Sequence, residues 1–554
     1  MSAYAQMPSG VILPQSLAAS VMHQQLFGPG GYRTASPNNR HTAGWITTSG
    51  SADSDTLGDV QTLRQQSSDL VRNEALPAGI IASNVTAVVG TGIVPQSRIN
   101  ADLLGISPEQ AEKWQRAAEA VFCQTADKNH FDAERGQNFW QMQGTVQRGM
   151  KERGDIFAVR RYIKRAGKKL GMAVQLVESD RVSTPTNGTY TERDIRAGCE
   201  RDSDGAPVAW HIAQVHPGER LMARPVSEAQ NWTRIPAFDG NGDPLILAVI
   251  PKLRPGQTRG VPYLAPVIEM LKQLTRYSEA EIAAAVVSGM LAIMVKSPAA
   301  VGPLGPMTSV PGMVSSPSKG GPQKVTKLQS GMIVDLAPGE DIEVVQSTRP
   351  NTAFDPFVTA VLRQIGSALE IPFEVLTNHF QSSYSAARAA LMSFWRFVLK
   401  ERDFLVTSFC QPCWEWAITE AVATGVLSAP GFFDDPVIRA AWMGCDWIGP
   451  GMPAIDPLKE AAAAEAWNAL GIWSLQDISA QQGKDFDRTH AQLVREKKMR
   501  EAAGLVLLPA PEPAPGDAAG APAPAPAPSK KQPAKAAAQI REAMMAELIL
   551  GEDG

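Results

Sequence analysis

Cysteine is scarce in this 554-residue chain. There are five, Cys123, Cys199, Cys410, Cys413 and Cys445, few and odd in number, which argues against a disulfide framework and for a reducing compartment. An excess of one charge is missing too: 52 Lys and Arg stand against 56 Asp and Glu, a formal net charge of -4. The whole chain is therefore no electrostatic magnet for nucleic acid, and any contact with DNA has to be local or weak. Long hydrophobic runs are absent as well. The best candidate, Ala283–Val295, holds 13 residues and contains Ser288 and Gly289, against the ~20 that a spanning helix needs. The N-terminal segment has neither a basic n-region nor a long apolar core, so a signal peptide is not expected. The expectation is a soluble intracellular protein that does not enter membranes.

The motifs of catalysis are missing in the same way. The chain has no G-x-x-x-x-G-K-[ST], so it does not hydrolyse ATP by P-loop chemistry, and it has no G-x-S-x-G or HExxH. Cys410-Gln411-Pro412-Cys413 has redox spacing but lies in a Trp-rich helical region with no second CxxC to complete a zinc site. Buried structural thiols are expected there. Asp239–Asp243 imitates the start of a calcium loop, but Pro244 replaces the required glycine and Ile250 stands where a bidentate acid belongs. It is expected to be a hairpin turn. Gly90-Thr91-Gly92 lacks the third glycine of a nucleotide fingerprint, and Pro95 follows where a helix should begin. The seven histidines are scattered; His211 and His216 share a strand region without further ligands. No catalytic, metal or cofactor site is expected.

What is present is a sequence of distinct textures. Residues 1 to about 55 are rich in Ser, Gly, Pro, Asn and Gln, and a mobile arm is expected there. Helical patterning starts near Asp55, with Leu57, Val60, Leu63, Leu70 and Val71 on its apolar face. Ser107-Pro108-Glu109-Gln110 spells an N-cap, a proline at N1 and an acid in the first turn. Between Asp155 and Ile250 the period changes, and Phe157–Tyr162, Met172–Leu176 and Val208–Val215 are expected strands. Met332–Leu336 and Ile342–Val345 are expected as short strands farther on. Helices are expected over Asp355–Leu369, from Tyr384 to about Ala423 with an interruption at Pro412, and over Pro457–Leu470, Ser474–Gln482 and Asp485–Ala503. The tryptophans crowding the last third, Trp395, Trp414, Trp416, Trp442, Trp447, Trp467 and Trp473, are expected in packed junctions. Residues 509–533 are expected to form an Ala/Pro linker, and 534–554 a short amphipathic helix.

The most informative stretch runs from Arg254 to Lys296. A Pro/Gly-rich turn leads to Leu264, Val267, Ile268, Leu271 and Leu274 at helical spacing, and then to Ile282, Val286 and Met290. One long helix is expected, with more apolar surface than a solitary surface helix needs. Its opening, RPGQTRGVPYLAPVI, resembles the lambda-type bacteriophage portal proteins. So do LRQQSSDLVRN, AVVGTGIVPQ, LVESDRVSTP, the block Asn351–Phe397 and CDWIGPGMPAIDPLKE, all in the family's order. These segments span about residues 55 to 505.

The resemblance implies an α+β portal fold with wing, long stem helices, clip and α-helical crown, assembling as a ring, usually a dodecamer, around a central channel. It places a wing at 56–260, a first stem helix at 261–296, a clip at 297–350 and a second stem helix at 351–370. A channel loop at 371–385 and helical wing or crown elements at 386–508 follow. The implied function is passage of double-stranded DNA at one capsid vertex, in the virion and, during assembly, in the host cytoplasm. The implied partners are further copies of the chain, the terminase large subunit, major capsid and scaffolding proteins, a head–tail adaptor, and DNA held weakly. Candidate channel residues are Asn378, His379, Gln381, Ser382 and Ser383; candidate clip docking residues are Lys319, Lys324 and Lys327. The long Pro/Gly-rich insertion Ala299–Gly321 and the Ala/Pro tail depart from the family pattern. A capsid adaptor without a channel and a DNA-processing hydrolase are the rival readings, the latter short of clustered carboxylates or a nucleophile–base pair.

Overall fold

Ser107 starts a helix as its sequence prescribes. Its side chain accepts from the Gln110 N–H, the Gln110 side chain returns the bond to the Ser107 backbone, and Pro108 takes the first helical position. Asn138 and Gln141 repeat this reciprocal cap one helix later. The computed structural model describes residues 49–185, 194–221, 231–289, 353–380, 383–452 and 456–504. It also describes the strands β1 (Tyr4–Gln6), β2 (Ile12–Pro14), β11 (Ile293–Lys296) and β12 (Asp341–Val344).

Up to Asp485 the chain forms one compact unit. Helices α1 (Val60–Asn73), α2 (Ala75–Val88), α3 (Pro108–Thr125) and α4 (Phe139–Arg153) come first. The buried face of α1 takes in Val60, Leu70 and Val71, as the pattern predicts, but Arg64, Ser67 and Ser68 point inward beside them, while Leu63 and, ahead of the helix, Leu57 are half-buried. Two small sheets follow. One has the order β10–β4–β5, built from β4 (Ile156–Tyr162), β5 (Met172–Glu178) and β10 (Ile246–Val249). The other runs β6–β7–β8–β9, with β6 (Ile195–Arg196), β7 (Cys199–Arg201), β8 (Pro207–Ala213) and β9 (Trp232–Pro236). The pairing is antiparallel throughout.

Strand β4 is buried on both faces because its side chains alternate between two cores. Ile156 and Ala158 join the main helical core, while Phe157 and Val159 pack with Val177, Trp210 and Ile212 in a second. The expected turn Asp239–Asp243 is a turn, closed by the Phe238–Pro244 bridge. Its end carboxylates are occupied by Arg160 and Arg439. Among the described residues no cluster of metal-ligating side chains occurs, and no helix is long and apolar enough to cross a membrane.

The long helix α5 spans Ile268–Gly289, entered through a 3-10 turn at Ala265–Val267. It is shorter than the rod expected to reach Lys296: Ile293–Lys296 is strand β11, paired with β12. The β-branched residues Ile293 and Val295 favour an extended ladder once a partner strand is available, a tertiary choice that helical periodicity does not contain. Met332–Leu336 lies outside the described residues, as do Ala299–Gly321 and everything after Gly504.

Helices α6 (Phe354–Ala368), α7 (Phe373–Thr377), α8 (Tyr384–Leu405) and α9 (Gln411–Ala423) carry the chain onward. The interruption expected at Pro412 is a π turn at Val406–Cys410, which joins α8 to α9. Pro412 has no N–H and its ring crowds the carbonyl four residues back; widening the preceding turn accommodates both. Cys410 and Cys413 are fully buried thiols, and burial pushes both well above the usual thiol range. Beside them the rings of Phe122, Phe139 and Trp414 meet at 5.1–5.2 Å between centroids.

Helix α10 (Pro436–Met443) and strand β13 (Cys445–Ile448), paired antiparallel with β3 (Val94–Ser97), close the core, followed by α11 (Pro457–Ala469) and α12 (Leu475–Gln481). Trp414, Trp416 and Trp442 are buried as expected, and Trp395 and Trp447 half-buried, but Trp467 on α11 is 42% exposed and pairs with Trp473 in the connection to α12. The second unit, from Phe486 on, is described through helix α13 (Phe486–Ala502), whose first ring stacks on His490.

Candidate channel loop and helix anchor

Asp155 anchors the segment that leads into α5. It is fully buried at the head of β4, and its carboxylate accepts from Arg64 Nη2 at 2.8 Å, Arg259 Nε at 2.8 Å and Nη2 at 3.0 Å, and the Gly260 N–H at 2.9 Å. Arg259 spends its other donors on the carbonyls of Ser179, Val182 and Ala197, at 2.8, 2.6 and 2.9 Å. Arg64 also donates to Arg153 O at 2.8 Å. Burial alone would raise the Asp155 pKa, but Arg259 and then Arg64 override it and hold it at about 2. Two arginines around one carboxylate leave a net positive charge in the interior, tolerated because carbonyl dipoles surround it.

The backbones meet here as well. A Cβ on Gly260 would lie 1.9 Å from Gly154 O, and Gly154 itself has φ +89. Two glycines therefore let the root of the long helix cross the end of α4 in direct backbone contact.

Tyr263, three residues after Gly260, ties the root to the helices beyond. Its N–H donates to Lys151 O at 3.0 Å and its hydroxyl to Leu369 O. Lys151 sits 4.5 Å over the Tyr263 ring and pairs with Glu401 at 2.6 Å. Desolvation lowers the Lys151 pKa, with Glu401 opposing it. One small neighbourhood thus joins α4, the root of α5, the end of α6 and α8. Arg402 adds a tie to α2, donating to Val88 O at 3.1 Å and Ala87 O at 3.3 Å, where a cation satisfies carbonyls at a helix C-terminus. Desolvation lowers its pKa to about 10.

The channel-loop candidates follow α7. Asn378 ends that helix in the left-handed region, φ +52, and its N–H caps Glu374 O. Asparagine tolerates that conformation better than most residues. Ser383 is the N-cap of α8, its Oγ accepting from the Ala386 N–H at 3.4 Å. Both therefore do backbone work at the two ends of the loop. His379 and Phe380 are exposed between them, while Gln381 and Ser382 lie outside the described residues, as do Lys319, Lys324 and Lys327. The structure brings Asn378, His379 and Ser383 into one short connection between α7 and α8.

Sequence reasoning flagged RPGQTRG but missed Asp155, Arg64, Lys151 and Arg402. The available signal was Arg64 itself: Val60, Arg64, Ser67 and Val71 fall at i, i+4, i+7 and i+11, a buried stripe with a charge in it.

The profile of the family described as phage portal protein, lambda family, matches residues 38–402, which takes in the anchor, the long helix, the loop and most of α8. The chain belongs to the lambda family of phage portal proteins. It is 28% identical over 487 residues to the portal protein of Escherichia phage N15, covering 83% of this chain and 88% of that one. To portal protein B of Escherichia phage lambda it is 27% identical over 486 residues, with the same coverages. A probable portal protein of Halomonas phage phiHAP-1 is 25% identical over 349 residues, 62% of this chain and 63% of the other. Among solved structures, a chain in the neck of an empty gene transfer agent particle is 13% identical, with a TM-score of 0.42, over 77% of this chain and 94% of that one. At that score the likeness adds nothing to the sequence match. The chain is thus a portal protein, a structural component of the virion in the family to which it belongs.

Proposed function

We propose that identical copies of this chain close into a ring, a dodecamer, at one capsid vertex, with α5 and α6 as paired stem helices and residues 378–383 lining a channel for double-stranded DNA. The ring nucleates procapsid assembly with scaffolding and capsid proteins, seats the terminase large subunit during packaging, and later holds the head–tail adaptor. Residues 297–350 form the clip, where Lys319, Lys324 and Lys327 dock an acidic partner. The energy comes from the terminase, since this chain has no phosphate loop.

Family membership across residues 38–402 carries this reading. The surface agrees with it: Ile282 and Val286 on α5 are 65% and 55% exposed and Phe357 on α6 is 52% exposed, apolar area that a neighbouring copy would cover. Purified protein imaged by negative stain is expected to show rings with a central hole. Protein that stays monomeric at high concentration, or particles with no aperture, would refute it.

A channel that passes DNA must not grip it, because each phosphate neutralised by Lys or Arg releases counterions and holds the duplex. The exposed His379 and its neighbour Gln381 are the positions to test, since Asn378 and Ser383 cap helices. His379→Lys with Gln381→Lys is expected to leave ring yield unchanged and to lower DNA packaging about tenfold, by analogy with the salt dependence of a few phosphate contacts. Packaging at the wild-type level would place this loop away from the duplex.

A further inference from the structure

Helix α6 has two different sides. Phe357 and Val361, one turn apart, line a groove of about 480 Å³ against α5, together with Leu274, Tyr277 and Glu269. Arg363 and Ser367, also one turn apart, line a cleft of about 610 Å³ against α8. At 3.6 residues per turn, Val361 and Arg363 point roughly 200° apart. One helix therefore serves a groove on one side and a cleft on the other.

The two recesses differ in charge in a complementary way. The cleft holds Arg363, Arg396 and Lys400 against a single acid, Glu370. Lys400 already clasps Glu370 at 2.9 and 3.0 Å, which leaves Arg363 and Arg396 without a counter-charge among the described residues. Arg363 lies 5.4 Å over the Phe373 ring, and Arg396 is exposed with no ion pair among the described residues. The groove carries the opposite sign: Glu269 is its one charged group, exposed and likewise without an ion pair among the described residues. An apolar floor with an acidic rim faces one way, and an aromatic-walled recess with two arginines that have no ion pair among the described residues faces the other.

We propose that the groove of one copy docks on the cleft of the next, with Glu269 of one subunit meeting Arg396 and Arg363 of its neighbour. Two unlike patches on opposite sides of a single helix are what a head-to-tail contact requires, and repetition of such a contact closes a ring. A second copy suits the cleft better than a duplex does. Phosphates need cations strung along a path, whereas here two cations sit in a recess walled by Phe373 and Phe397, suited to one carboxylate on an apolar surface. The inference rests on the ring proposed above and names the faces that make it.

Charge reversal tests it, with the closed-ring fraction counted by negative stain and sedimentation at low and rising salt. Arg396→Glu and Glu269→Arg are each expected to lower that fraction about fivefold, the effect of roughly one coupled charge pair, and the double reversal to restore it. Arg396→Gln, which adds no repulsion, is expected to cost less. Both residues are exposed, so thermal midpoints of the variants should match wild type, separating assembly from folding. Rings unchanged in both single variants, or broken in both and not restored in the double, overturn the pairing while the ring itself stands. Rings intact in Arg396→Glu but with weaker retention of a short duplex overturn it in favour of DNA phosphates. Wild-type protein that forms no closed ring removes both proposals together.

Discussion

Asp155→Ala is expected to lower stability by about 3–5 kcal/mol, because it strands two buried arginines without their shared counter-charge. The side chains of Arg64, Arg259 and Asp155 are 5%, 2% and 0% exposed, so water cannot replace the lost partner. A urea midpoint measured on the purified chain reads the effect. Arg64→Met is the informative companion, since it leaves a neutral Arg259–Asp155 pair and should cost less. Equal losses in the two variants would show that net charge at this point does not matter.

The same group predicts an acid limb. Its folded pKa of about 2 lies below the ordinary value of 3.8, so its contribution is fully present above that value and disappears as the pH falls from about 4 to 2. In Asp155→Asn that part of the acid dependence should be missing.

Gly260→Ala is expected to cost about 3 kcal/mol, the upper end for overpacking, because its Cβ would land 1.9 Å from the backbone oxygen of Gly154. A flexible side chain could swing away from such a clash; a carbonyl fixed at the end of α4 cannot. Gly256, four residues earlier in the same turn, gives the contrast. Its φ is +77 but nothing lies within 4 Å of an added Cβ, so Gly256→Ala should show only backbone strain, about 1 kcal/mol. Thermal unfolding of the two variants distinguishes a close backbone crossing from a mere turn. Similar midpoints for both would mean that the root of α5 can shift away from α4 at little cost.

Much of the local structure was legible in the residues. The Ser107 cap, strands β4, β5 and β8, the break at Pro412 and helices α11 to α13 follow from capping chemistry, period and proline geometry, all of which act within a few residues. The candidate loop was legible as a polar connection, but not the capping duties of Asn378 and Ser383, which depend on where α7 stops and α8 starts. Helical period overruns the end of α5 because Ile293–Lys296 continues an apolar pattern that a partner strand converts into a ladder.

Sequence alone determined the family, the absence of nucleotide-hydrolysing and metalloprotease motifs, and the order of helical and extended segments, since each is carried by residue types at short spacing. Only the tertiary structure decided that Arg64 and Arg259, 195 positions apart, share Asp155, that Tyr263 reaches Leu369, and that α6 serves two unlike recesses. Charge pairing and close packing act between neighbours in space, and residues far apart along a chain become neighbours only once it has folded.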